Sequence, residues 1–178
     1  MSIQTIYQKT ILFAAERHSN QKIPGSDISY TVHISNVCME VIFAAIQTKT
    51  MDLNLALQTA LLHDVLEDTA TTEAELETIF GASITAGIKA LTKNELLPKE
   101  EQLQDSLRRI KQQPKEIWAI KLADRITNLQ PPPHYWTQEK IRQYKQDSIL
   151  IFEELKDGNT YLAERLRSEI EKYDEYIK

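Results

Sequence analysis

Apolar residues recur at three- and four-residue intervals along most of this chain, the spacing of one face of a helix. Over about residues 3–19, Ile3, Ile6, Ile11, Phe13, Ala14 and Ala15 keep that spacing, and the polar loop SNQKIPGSD then interrupts it. It resumes from Ile34 to Ile46 through Val37, Val41, Ile42 and Ala45, and again from about Asp52 to Leu66 through Leu53, Leu57, Ala60 and Leu61. Thr72 with Glu75 three residues on is a capping-box pattern and predicts a short helix. Gly81 ends that helix and another follows through Ile88. KNELLPKEE reads as a loop, with a helix from about Lys99 to Lys111 beyond it. Pro114 stands at the predicted first turn of the next helix, where its missing N–H costs little. That helix carries Ile117, Ile120, Leu122, Ile126 and Leu129, and Pro131, Pro132 and Pro133 end it. Two amphipathic helices, about 137–156 and 159–177, flank Asp157-Gly158. Strict alternation, the mark of a strand, is sustained nowhere. The pattern predicts one all-α domain over residues 1–178, a bundle of roughly eight to ten helices.

Composition sharpens that reading. Only four glycines and six prolines occur in 178 residues, too few for the closely spaced turns of a β-sandwich or barrel. Apolar residues make up 42%, enough to build a core at this length. Twenty-six acidic residues against 21 basic give a net charge of −5, which argues against a general nucleic-acid partner. No apolar run is long enough for a membrane span, and MSIQTIYQKTILF lacks the basic start and apolar run of a signal peptide, so a cytoplasmic protein is expected. Cys38 is the sole cysteine, in the apolar run NVCMEVIFAAI, and reads as a small buried side chain.

The candidate chemistry lies in LLHDVLEDT, residues 61–69. If the helix runs through it, His63 and Glu67 are four apart, as are Asp64 and Asp68, so all four project from one side. Three carboxylates near a helix C-terminus repel one another and oppose the macrodipole. A divalent cation compensates them and accepts the mixed imidazole and carboxylate set. The alternative is a solvated acidic patch. Two further ligand candidates are His33, which opens the second helix, and Asp124, a carboxylate within the apolar run IKLADRITNL. For Asp124, ion pairing with Lys121 or Arg125 is the alternative. His18 reads as a cap or core hydrogen-bonding group, His134 as a loop residue, and Tyr135 and Trp136 as anchors for the loop after the prolines.

A separated histidine, then His-Asp, then a distant aspartate in a helical chain resembles the HD-domain metal-dependent phosphohydrolases. HDVLEDT and KLADRITNL are similar to the alarmone hydrolases, the hydrolase domain of RelA/SpoT proteins and its stand-alone small form. The likeness extends through ALLHDVLEDTATTEAELETIFG, LPKEE and WTQEKIRQY, most of the chain. It implies an HD-domain helical bundle that uses one Mn(II) ion and a metal-activated water to remove the 3′-pyrophosphate from guanosine tetra- or pentaphosphate, a small-molecule nucleotide. By that resemblance His33, His63, Asp64 and Asp124 hold the metal, while Glu67 and Asp68 position or deprotonate the attacking water. Lys22, Lys99, Asn128, Lys140 and Tyr144 match substrate-contacting positions, with Lys140 standing for an arginine.

The loop before His33 departs from the family pattern. Ile23 and Pro24 stand where an Arg-Lys pair holds the guanine base, Ser29 stands where proline is usual, and Ile34 follows His33 where the family has proline. Two alternatives therefore stay open: a hydrolase of another nucleotide or a phosphorylated cofactor such as NADPH, and a nucleotide sensor without turnover. The last two helices also offer faces for a homodimer.

Overall fold

Side-chain caps mark where most of the helices begin. In a computed structural model that describes residues 1–178, Ser2 accepts a hydrogen bond from Thr5 N at 3.3 Å and starts α1 (Ile3–Arg17). Asp52 accepts from Asn54 N and Leu55 N at 3.0 and 3.1 Å and starts α3 (Leu53–Leu62). Thr72, Thr137 and Asn159 cap α5 (Glu73–Phe80), α9 (Gln138–Leu155) and α10 (Thr160–Lys172) in the same way. Each cap satisfies an N–H that the first helical turn leaves without a partner. Only the Thr72 half of the predicted capping box forms, because Glu75 turns away to Arg17 of α1 at 2.5 Å. Pro98 and Pro114 stand immediately before α7 (Lys99–Ile110) and α8 (Lys115–Asn128). Gly81, at φ +87°, turns the chain from α5 into α6 (Ala82–Leu91), a conformation that favours glycine.

With α2 (Thr31–Thr48) and the one-turn α4 (Val65–Asp68), the chain has ten α-helices and a closing 3-10 turn, Tyr173–Tyr176. The all-α expectation holds, and the sole β-type pairing is an isolated bridge between Lys22 and Ser29. The last helix is shorter than the pattern predicts, giving way at Tyr173 to that turn.

One element differs in kind. The sequence pattern runs a single helix through Leu66, whereas α3 ends at Leu62 and α4 starts afresh at Val65. Asp64, at φ −105° and ψ 0°, is the break. Neighbouring residues of a regular helix point about 100° apart and do not face each other. The break lets His63 Nε2 and Asp64 Oδ2 meet at 2.9 Å.

Helix α8 runs through the middle, packed on α2, α3, α9 and α10. Ile117, Ile120, Leu122, Ala123 and Ile126 of α8 belong to one buried apolar cluster with Ile34, Val37 and Val41 of α2 and Leu57, Leu61 and Leu62 of α3. Cys38 is buried in that cluster, and burial pushes its thiol pKa up to about 12. No helix is long and apolar enough to cross a membrane. Four of the exposed large apolar side chains lie on α2 (Val32, Met39, Phe43 and Ile46), and none lies on α9 or α10.

Candidate active site

Helices α2, α3 and α8 each deliver ligand-type side chains to one point. His33 and His63 face each other through their Nε2 atoms at 3.4 Å. His33 Nε2 lies 3.8 Å from Asp64 Oδ2 and 3.5 Å from Asp124 Oδ1, and His63 Nε2 lies 3.7 Å from that same Asp124 oxygen. His33, His63 and Asp124 are buried. Three far-apart segments thus place two imidazoles and two carboxylates together.

The tautomer of His63 tests whether this set suits a cation. Its Nδ1 lies 2.8 Å from the carbonyl of Ala60, which can only accept, so Nδ1 carries the proton. Nε2 is left with a lone pair aimed at two carboxylates, the arrangement of a metal-binding histidine oriented from behind by a carbonyl. Without a cation the alternative is a second proton. Burial opposes that charge, yet the Asp64 and Asp124 carboxylates outweigh it and raise the His63 pKa well above the imidazole range. Donor spacings of 2.9 to 3.8 Å fall around the roughly 3 to 3.5 Å between neighbouring ligands held at ~2.1 Å from one ion, and those of His33, His63 and Asp64 all lie within 4.8 Å of one another. The donor set fits a divalent metal.

Both aspartates are held as anions. Burial works against the charge on Asp64, but His63 and the hydroxyl of Tyr30, which donates to Oδ2 at 2.5 Å, bring its pKa to about 2. Burial likewise opposes Asp124, and Lys121 first, then both histidines, hold it well below the usual carboxylate range. Lys121 Nζ donates to Asp124 Oδ2 at 3.0 Å and Asn128 Nδ2 to Oδ1 at 2.6 Å. Of the two cations beside Asp124 in sequence, Lys121 is the partner; Arg125 points elsewhere.

Glu67 and Asp68 do not project as one face with His63 and Asp64, because the break after α3 separates them. Glu67 accepts from the Lys93 backbone N–H at 3.0 Å and from the Lys93 ammonium. Asp68 accepts from Gln21 Nε2 at 2.8 Å, and Gln21 Oε1 in turn accepts from His18 Nδ1 at 2.5 Å. His18 is therefore a buried hydrogen-bonding residue, as expected. Desolvation raises the Asp68 carboxyl pKa, against the bond from Gln21.

These groups line a cleft of about 470 Å³ that also holds Lys99, Asn128 and Tyr144. Two predicted contacts do not reach it. Lys22 is exposed and stands outside the cleft lining, although its neighbour Gln21 belongs to it. Lys140 lies on the outer surface of α9, its ammonium 4.3 Å above the Trp136 ring. Trp136 packs on Tyr144 and serves as the expected loop anchor, while His134 and Tyr135 are exposed.

Gln21, Tyr30, Lys93, Lys121 and Arg125 line the cleft without having been read as site residues from the sequence. Tyr30, three residues before His33 at the start of a helix, carried a spacing signal. Lys93 and Gln21 carried none, since each meets its carboxylate across 26 and 47 residues of chain.

Comparison with known proteins agrees with this geometry. The zebrafish (Danio rerio) guanosine-3′,5′-bis(diphosphate) 3′-pyrophosphohydrolase is 28% identical over 170 residues, 93% of each chain. A "GTP pyrophosphokinase rsh" of Brucella ovis is 30% identical over 92% of this chain, which spans only 20% of that longer protein. A solved structure described as a metazoan ortholog of SpoT that hydrolyses ppGpp superposes with a TM-score of 0.83 at 25% identity, covering 97% of both chains. The family model described as HD domain matches residues 11–159, and this chain belongs to the HD domain family.

Proposed function

We propose that this chain is a Mn(II)-dependent pyrophosphohydrolase that removes the 3′-pyrophosphate from guanosine 3′,5′-bis(diphosphate) and its pentaphosphate form. The observation that carries the reading is the meeting of His33, His63, Asp64 and Asp124 beside Glu67 and Asp68, in a cleft lined by Lys93, Lys99, Lys121 and Arg125. The full-length likeness to hydrolases of that compound supports it.

His33, His63, Asp64 and Asp124 would hold the metal. Such an ion supplies Lewis acidity and makes water available as a nucleophile near neutral pH. Asp68, whose raised pKa makes it a stronger base than a free aspartate, accepts the proton of the attacking water. Glu67, tied to Lys93 through two donors, is held beside it to orient that water. Attack at the phosphorus joined to the 3′-oxygen forms the new P–O bond and breaks the old one. The 3′-oxygen departs with the electron pair and takes up the proton that Asp68 accepted, giving a 3′-hydroxyl, while pyrophosphate carries the water oxygen. Lys93, Lys99 and Lys121 offset the negative charge that gathers on phosphoryl oxygens as that bond breaks. Asn128 keeps Asp124 oriented through its 2.6 Å bond and exposes the rest of its amide to substrate.

The test is release of pyrophosphate from guanosine tetraphosphate by the Mn-loaded protein. Glu67→Gln and Asp68→Asn should abolish release and leave metal content intact. No release by the parent protein at full metal content sinks the reading. One observation favours a second substrate: Pro24 lines the cleft where a base-reading cation is expected, and Lys22 is outside the lining. A panel of nucleotides, dinucleotide cofactors and phosphomonoesters decides between them by kcat/KM.

A further inference from the structure

Four cations line the cleft, and three have an evident arrangement. Lys93 pairs with Glu67, Lys121 pairs with Asp124, and Lys99 stands in solvent. Arg125 is different. It is 8% exposed, and no carboxylate forms an ion pair with it. Its one hydrogen bond runs from Nη1 to Ser148 Oγ at 3.4 Å, and its Nε is buried without a partner. The guanidinium lies over the Tyr144 ring at 4.2 Å. Neither acid nearby pairs with it: Asp124 is bound to Lys121, Asn128 and the histidines, and Asp147, which lines the same cleft, accepts from Gln143 at 2.8 Å and makes no ion pair.

Burying a cation with no counter-charge is unfavourable, and a fold keeps one when a ligand supplies the missing charge. The planar guanidinium matches a phosphate through two parallel N–H donors, and Nε with Nη2 forms such a side-on pair. Tyr144 and Ser148, both on α9, hold the plane from behind. One residue beyond Asp124, Arg125 projects about 100° round α8 from it, away from the histidine and aspartate cluster. The group it meets is therefore a different phosphate from the one attacked.

We propose that Arg125 is the receptor for the substrate's second phosphate group, the 5′-diphosphate when the substrate is guanosine 3′,5′-bis(diphosphate), an assignment that rests on the hydrolase reading above. Arg125 thereby selects substrates phosphorylated at both ends. Tyr144 acts through it, as the surface on which the guanidinium is stacked.

The experiment compares hydrolysis of guanosine 3′,5′-bis(diphosphate) with that of guanosine 3′-diphosphate, which lacks the 5′ phosphates, by wild type, Arg125→Gln and Arg125→Lys. Expected is a rise in KM of about 10- to 100-fold for the doubly phosphorylated substrate in Arg125→Gln. The ratio of kcat/KM for guanosine 3′,5′-bis(diphosphate) to that for guanosine 3′-diphosphate should fall by about that factor. Arg125→Lys, which keeps the charge without the fork, should fall between and serves if the Gln variant does not fold. Equal effects on both substrates, or none, overturn the inference while leaving the hydrolase reading intact. If wild type hydrolyses neither compound, that reading fails, and Arg125 is judged by thermal stabilisation with inorganic pyrophosphate in excess Mn(II). A shift that Arg125→Lys reduces supports the anion site; one that it leaves unchanged overturns it.

Discussion

Replacing Tyr30 by Phe removes one oxygen atom from behind the proposed metal centre, and its effect can be worked from the structure. The hydroxyl donates to Asp64 Oδ2 at 2.5 Å, and that oxygen's other close partner is His63 Nε2 at 2.9 Å. The ring stays in place without its hydroxyl, since it stacks between His18 and His33 at centroid distances of 5.2 and 4.9 Å. A hydrogen bond to a charged group contributes about 1.5–3 kcal/mol. The Asp64 side chain is 21% exposed, so water replaces part of what is lost, and the lower end applies. A loss of about 1.5 kcal/mol weakens Mn(II) binding about tenfold, within the range expected for partners that orient a metal ligand. Chelator competition or calorimetry at neutral pH measures it, with thermal unfolding of the metal-free variant as the control for folding. At saturating Mn(II), KM should not change. An affinity within about twofold of wild type, in a variant that unfolds normally, would refute the claim that Tyr30 orients Asp64 for metal.

Four further outcomes follow from other contacts. Gln21→Ala removes the donor to Asp68, so kcat should fall about tenfold with KM unchanged in steady-state assays. Gly158→Ala should destabilise by about 1–3 kcal/mol in urea unfolding, because its Cβ would sit 2.5 Å from Trp118 Cβ and 3.0 Å from the Leu155 carbonyl, neither free to move. Gly87→Ala should cost less, since the nearest atom at 2.6 Å is the mobile Ile117 Cδ1. Arg108 and then Arg109 lower the Asp105 carboxyl pKa, so its ion pairs stabilise the fold above the unfolded pKa near 4 and lose that effect as pH falls through the folded value. The stability difference between wild type and Asp105→Asn should accordingly be full at neutral pH and shrink below about pH 4.

Helix positions were legible because each helix is decided locally. Apolar spacing, Thr72 as a cap and the triple proline act within a turn or two of chain, as do the caps Asp52, Thr137 and Asn159 that the structure adds. Asp124 stood out because a carboxylate in an apolar run is costly without a partner, His63 and Asp64 because the carboxylates around them repel near a helix end, and His33 only by its place at the opening of the second helix. Periodicity failed at Asp64. The apolar pattern runs through the break, which is set by the meeting of His63 and Asp64 with groups from two other helices.

Partners from distant segments were the other thing that local reasoning could not supply. Helix spacing favours Lys121, three residues before Asp124, over the adjacent Arg125 as its partner, but that Arg125 lies over Tyr144 depends on α9 packing against α8. Lys22 and Gln21 are neighbours, yet Gln21 reaches Asp68 while Lys22 stays exposed outside the cleft lining. The sequence by itself determined an all-helical chain and the kinds of ligand it carries, since those depend on short-range spacing and residue type. The tertiary structure decided which carboxylates share a point, which cation is left unpaired and which lysines face the cleft. Those outcomes depend on contacts between distant segments, whose energies are set when the helices pack.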